Sequence, residues 1–164
     1  MMKKISIAFI LLVQITFARY SQVEYSKILN KNGKIFVKNN GTPFTGMVTF
    51  QNDREFYKNG VPEGKWLSFY TNGKIKSIEN WRNGELNGKY VLYSQDGHKT
   101  FQTYYLKGKD HGLFRLYHEN GKPHIVGNFN NGQAIGIWNY YNQNGKLIGK
   151  REYTIDTNHF DQTN

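Results

Sequence analysis

Glycine returns along this chain every 24 residues, in three interleaved sets. Gly64, Gly88, Gly112 and Gly136 form the first set. Gly73, Gly97, Gly121 and Gly145 form the second, and Gly84, Gly108 and Gly132 the third. A fixed period of this length marks one small structural unit stacked on copies of itself. The units read GKWLSFYTNGKIKSIENWRNGELN (64–87), GKYVLYSQDGHKTFQTYYLKGKDH (88–111) and GLFRLYHENGKPHIVGNFNNGQAI (112–135). A fourth starts at Gly136 and stops at Tyr153, and a shortened one occupies 46–63. Residues 19–45 read as an N-terminal cap holding a degenerate repeat, because the end units of such arrays face water on one side.

Each unit reads as a β-hairpin. Asn72-Gly73, Asp96-Gly97, Asn120-Gly121 and Asn144-Gly145 are strong hairpin dipeptides, since a two-residue type I′ turn needs positive φ at both central residues. Asn83-Gly84, Lys107-Gly108 and Asn131-Gly132 mark the second turn of each unit, read as a four-residue connection into the next. Alternation of the two turns gives an all-β, elongated antiparallel meander in a single-layer twisted sheet. At about 4.8 Å per strand, four to five units span on the order of 45 Å. The turn arithmetic places Trp66 opposite Glu79 and Phe69 opposite Lys76 within a unit. Across the connections it places Tyr57 opposite Trp66, Trp81 opposite Tyr90, Tyr105 opposite Phe114 and Phe129 opposite Trp138.

Alternation along the strands then sorts side chains onto two faces. The first face collects Trp66, Tyr90, Phe114 and Trp138, with Trp81, Tyr105, Phe129 and Tyr153, and forms the expected core. The second carries the row Phe69, Tyr93, Tyr117, Tyr141, with Arg115 nearby and Lys76, Thr100 and His124 opposite. Aligned aromatics beside basic groups have the composition of interface hot spots. Phe69, Tyr93, Tyr117, Tyr141, Arg115 and Lys76 are therefore the candidate partner-binding residues. Lys74, His98, Lys122 and Lys146 follow the tight turns along one edge. They read either as solvation of exposed turns or as a rim facing an anion.

The pattern GxWxxYxxNGK followed by YxNGxxxG resembles the MORN repeat, in its bacterial variant form. Gly64, Trp66, Phe69, Asn72, Gly73, Trp81, Asn83, Gly84 and Gly88 carry the match, and their equivalents recur at 24-residue steps over residues 46–153. Lys107 and Asp96 depart from it by replacing the Asn before the turn glycine. The resemblance implies an array of hairpins used for contact with protein or lipid. Some bacterial variants bear an antitoxin-component label.

Catalytic chemistry finds no support in the residue pattern. The five histidines, His98, His111, His118, His124 and His159, fall in different slots of the repeat, with no metal-ligating spacing. Glu79, Glu85, Asp110 and Glu119 are scattered likewise, and a general acid–base pair needs two carboxylates in one pocket. No enzyme activity, catalytic residue, metal or cofactor is expected. There is no cysteine, which excludes disulfides and thiol chemistry.

Residues 1–18, MMKKISIAFILLVQITFA, have the layout of a secretory signal peptide: two lysines, an apolar run and a small residue, Ala18, at the cut. The run falls short of the roughly 20 apolar residues a spanning helix needs, so no transmembrane helix is expected in the mature chain. The expected location is periplasmic or secreted. Without those two lysines the net charge falls from +10 to +8, which favours an anionic envelope surface. Nucleic acid is not an expected partner, as no binding signature appears. Residues 154–164 read as a polar tail. The expected function is non-catalytic: an exported module binding a protein or copies of itself, with anionic lipid or glycan, or a neutralised toxin, as alternatives.

Overall fold

Paired turn glycines and β-branched or aromatic strand residues leave this chain only hairpins to form. The computed structural model describes residues 21–154. The leader expected at 1–18 lies outside them, as does the expected tail apart from Thr154. Strand β1 (Gln22–Glu24) and a 3-10 turn (Tyr25–Lys27) lead to a hairpin of β2 (Ile28–Lys31) and β3 (Lys34–Val37). The array begins with β4 (Gly46–Phe50), β5 (Asp53–Lys58), β6 (Val61–Pro62), β7 (Gly64–Phe69), β8 (Ile75–Arg82) and β9 (Glu85–Leu86). It continues with β10 (Gly88–Tyr93), β11 (Lys99–Leu106), β12 (Lys109–Asp110), β13 (Gly112–Tyr117) and β14 (Pro123–Asn130). It ends with β15 (Gln133–Tyr141) and β16 (Leu147–Tyr153).

Fourteen of these strands form one sheet in the order β1-β4-β5-β7-β8-β10-β11-β13-β14-β15-β16, with β6, β9 and β12 paired to β5, β8 and β11. The described sheet is an open meander with no closed barrel. All its pairs are antiparallel except β1 with β4, which runs parallel. The hairpin β2–β3 forms a separate two-stranded sheet.

The two turn types are the reverse of the expected assignment. Asn83-Gly84, Lys107-Gly108 and Asn131-Gly132 have positive φ at both residues, as do Asn32-Gly33 and Asn59-Gly60. These are the type I′ turns. At the other edge Gly73 has a φ of 80° while Asn72 is not left-handed, and the Gly73 amide donates to the Tyr70 carbonyl. That is a type I turn closed by a left-handed glycine. Asn72 gains from the change. Its Oδ1 accepts from the Lys74 amide at 3.0 Å and its Nδ2 donates to the Gln95 carbonyl of the next turn, also at 3.0 Å. Asn120 repeats the inter-turn bond to Gln143. Asp96, which has no N–H on its side chain, has no such bond to give.

This exchange of turns moves the register in two places. The type I′ turns at Asn59-Gly60, Asn83-Gly84 and Lys107-Gly108 are each followed by a two-residue strand that folds straight back, as Glu85 does on Arg82, and after Asn131-Gly132 the start of β15 does the same, with Gln133 opposite Asn130. The next long strand is therefore paired two positions out of the expected register. Val91 lies opposite Ile78, Arg54 opposite Leu67, Gln102 opposite Arg115 and Val126 opposite Asn139. An even shift leaves every side chain on its face. The aromatic pairs are consequently formed within units: Trp66 with Trp81 (5.0 Å between centroids), Tyr90 with Tyr105 (5.8 Å), Phe114 with Phe129 (5.5 Å) and Trp138 with Tyr153 (5.6 Å). Tyr57 with Trp66 and Phe129 with Trp138 still touch, though not as directly opposed residues.

The second change is a bulge in each of the four hairpins β7–β8, β10–β11, β13–β14 and β15–β16. Trp66 faces Glu79 and Leu67 faces Ile78 as expected, but Phe69 pairs with Ile75, leaving Lys76 as the extra residue. Thr100, His124 and Ile148 occupy the same extra position in the later units. A bulge re-aims the inserted side chain. Thr100 therefore lines a hollow on the first face with Tyr90, Leu92, Phe101 and Leu116. The Lys76 ammonium sits 6.0 Å over the Tyr70 ring, and His124 stacks on His118 at 4.2 Å. The expected placement of Lys76, Thr100 and His124 beside the second-face row is thus corrected.

Among the described residues, the compact apolar core sits at the N-terminal end. Ile28, Ile35, Phe44, Val48 and Tyr57 are buried together, with Val23, Val37 and Trp66 packed around them. The cap is stitched to the array by Ile35 N–H to Gly60 O (2.9 Å) and Gly60 N–H to Phe44 O (2.7 Å).

The type I′ edge is laced by a repeating bond. The amides of Gly84, Gly108 and Gly132 donate to the carbonyls of Pro62, Leu86 and Asp110. Lys107 holds a φ of 51° where the equivalent residues are Asn, and a lysine lacks the short amide that eases the left-handed region. Lys107→Asn is expected to stabilise the protein by about 0.5–1 kcal/mol, read as a higher urea midpoint at unchanged slope.

Candidate binding surface

One row of residues crosses nine strands of the second face. Arg54, Leu67, Ile78, Val91, Gln102, Arg115, Val126, Asn139 and Lys150 lie each opposite the next. Residues two positions away on each strand share that face. From β5 onward it therefore carries Arg54, Lys58, Lys65, Arg82, Lys89, Lys109, Arg115 and Lys150, with Glu85 and Glu152 as its acids. The first face carries Glu55, Glu79 and Arg151 among its aromatics. The surplus of positive charge is thus sorted onto one side of a thin sheet, where it adds to a common potential.

The row Phe69, Tyr93, Tyr117, Tyr141 lies along this basic face, and all four side chains are half-buried. It divides into two settings. Phe69 is capped by the Arg54 guanidinium, 5.9 Å from the ring centroid. Tyr117 and Tyr141 open instead into one groove with Arg115, Pro123, Val126 and Gly145. Arg115, Tyr117 and Tyr141 are therefore brought together, while Lys76 is turned away towards Tyr70 by the bulge.

The turn-edge cations are spent partly on structure. Lys74 Nζ donates to the Asp96 carbonyl at 2.9 Å and Lys122 Nζ to the Asn144 carbonyl at 3.1 Å. Their stems lie over Gly97 and Gly145 of the following turn. His98 lies beside Gly121 in the same relation. In this geometry Lys74, His98, Lys122 and Lys146 line one edge, and two of the ammonium groups act first as ties between turns.

Several working residues carried no signal read in the sequence. Glu63, Asn87 and His111 accept the first amide of the following type I′ turn, at Asn83 (2.8 Å), Lys107 (3.3 Å) and Asn131 (3.4 Å). Their spacing of 24 residues was the available clue. His111 is thus a turn acceptor. Among the described residues no group of three or more histidines and acids is placed to hold a metal ion. Nor is any described helix long and apolar enough to cross a membrane.

Fold and surface together define a β-hairpin repeat protein with two chemically distinct faces. Three stretches, residues 62–83, 110–131 and 135–154, match the MORN repeat variant. No curated protein matches the chain.

Proposed function

We propose that this chain is an exported, non-catalytic binding module that holds a protein partner along its second face. The convergence of Tyr117, Tyr141 and Arg115 in one groove is the observation that carries this reading. Two amphipathic rings and a planar cation offer large contact area with little side-chain freedom to lose, which is how hot spots are built. The surrounding cations favour an acidic partner and speed its encounter. The assignment to export rests on the composition of residues 1–18.

The test is capture of a partner from an envelope extract by the mature protein, followed by cross-linking. Tyr117→Ala/Tyr141→Ala is expected to reduce capture at least tenfold while the β-sheet circular dichroism is kept. Unchanged capture by the folded variant would count decisively against the groove. A second reading, adsorption to an anionic lipid or glycan surface, is favoured by Leu106 and Ile137, which stand 45% and 53% exposed on the basic face. In that case retention on anionic vesicles falls steeply with salt and survives Tyr117→Ala/Tyr141→Ala, whereas capture through the groove is lost in that variant.

A further inference from the structure

Where the cap hairpin leans on β5, six residues enclose a pocket of about 210 Å³: Tyr25, Ile28, Asn30, Ile35, Glu55 and Tyr57. It lies on the opposite face from the groove and is unrelated to it in chemistry. Ile28 and Ile35, both buried, give it apolar walls. The Glu55 carboxylate supplies its charge. The Tyr57 hydroxyl donates to Glu55 Oε2 at 2.8 Å and fixes that carboxylate in place. Among the described residues no donor reaches the other oxygen, Oε1, and no lysine or arginine pairs with the group.

Its electrostatic neighbours make this arrangement unusual. Asp53 and Glu79, both acids, are the charges that act on Glu55. Burial, more than these neighbours, pushes its carboxyl above the usual carboxylate range. A chain of net charge +10 thus leaves one half-buried carboxylate, in a field of like charges, without a counter-ion. Holding such a charge without compensation is unfavourable. A cation entering the pocket would remove that penalty.

We propose that this pocket binds a primary alkylammonium group through Glu55, with Tyr25 and Tyr57 against the cation and Ile28 and Ile35 along its methylene stem. The volume sets the size of the guest. Sites for whole drug-sized ligands start at about 300 Å³, so this one takes a head group and a short chain. The rings of Tyr25 and Tyr57 present faces to which a cation is attracted. A lysine side chain and a free amine share this chemistry.

The experiment is a titration of the ¹⁵N-labelled protein with n-butylammonium, and with 1-butanol as the neutral counterpart. Saturable shifts are expected at the amides of Tyr25, Ile28, Ile35 and Glu55, with butanol at least tenfold weaker. Glu55→Gln, which keeps the shape and removes the charge, is expected to weaken butylammonium at least tenfold. Glu79→Gln, outside the pocket, is expected to stay within threefold of the parent. An N-acetyl-lysine methylamide arm separates the sources: equal or tighter binding assigns a lysine side chain, and tenfold weaker binding a free amine. The proposal is overturned if the parent protein shows no saturable shifts, if butanol matches butylammonium, or if Glu79→Gln weakens binding as much as Glu55→Gln. The butanol comparison uses the unaltered protein, so it decides the matter even if Glu55→Gln fails to fold.

Discussion

Gly127→Val is expected to lower the unfolding free energy by about 3 kcal/mol, and with it the urea midpoint by roughly 1–2 M. Gly127 lies opposite Phe114 in the β13–β14 ladder, and a Cβ there would overlap the indole of Trp138. That indole has nowhere to go. It lies 5.0 Å from the Phe114 ring and 5.1 Å from the Phe129 ring, and Tyr153 touches it at 5.6 Å. It is only 7% exposed, and its Nε1 has no hydrogen-bond partner in the structure. Its place is therefore held by volume and ring contact alone. Adding an isopropyl group under it forces either the ring out or the strands apart, and both lose packing built across the four strands β13–β16. A double variant, Gly127→Val/Trp138→Leu, is expected to recover part of the loss, because the two sites share one space and so cannot be additive. A midpoint for Gly127→Val equal to that of the parent would mean that the indole is not pinned there.

The position of Gly127 shows what a periodic sequence displays and what it conceals. Its slot is filled at 24-residue steps by Glu55, Glu79, Thr103, Gly127 and Arg151, so composition alone makes it look unconstrained. The constraint comes from Trp138 on the next strand, which only the register reveals. Unit boundaries, hairpins and the division into faces were legible, because turn glycines and strand alternation are local signals. The choice of turn type was not. Asn72-Gly73 and Asn83-Gly84 are the same dipeptide, and what separates them is non-local: Asn72 spends its side chain on the neighbouring turn, whereas the Gly84 amide reaches back to Pro62. The two-residue register shift and the bulges follow from that exchange. The shift preserved the faces, which is why the second-face row was read correctly while Lys76, Thr100 and His124 were not. The N-terminal core of Ile28, Ile35 and Phe44 obeys no period, and the pocket at Glu55 exists only where that irregular segment meets the regular one. The tie of Lys74 to Asp96 O was invisible for a similar reason: the backbone carbonyl of the neighbouring turn is present whatever its side chain.

Trp66→Ala is expected to cost about 3–4 kcal/mol and to uncouple the cap from the array before the array itself fails. Trp66 carries the contact between the two parts onward from Tyr57. It packs on the buried cluster of Ile28, Ile35, Phe44, Val48 and Tyr57 and passes the contact on to Trp81, each ring centroid 5.0 Å from its neighbour along Tyr57, Trp66 and Trp81. Its Nε1 donates to the Phe56 carbonyl at 2.8 Å, an oxygen that also accepts from the Glu63 amide at 2.9 Å, so truncation also removes one hydrogen bond that ties the ring to β5. In a linear array each unit is stabilised chiefly by its neighbours, and damage at one joint spreads only as far as those contacts carry it. Three units away, Trp138 and Tyr153 make their own ring contacts. Native-state hydrogen exchange is the suitable measurement, since it resolves opening segment by segment. Amides of β2–β5 are expected to lose protection by the full amount in Trp66→Ala. Those of β13–β15 are expected to change by less than about 1 kcal/mol. Equal loss in both regions would show that the sheet unfolds as a single cooperative body, with the cap core serving the whole of it.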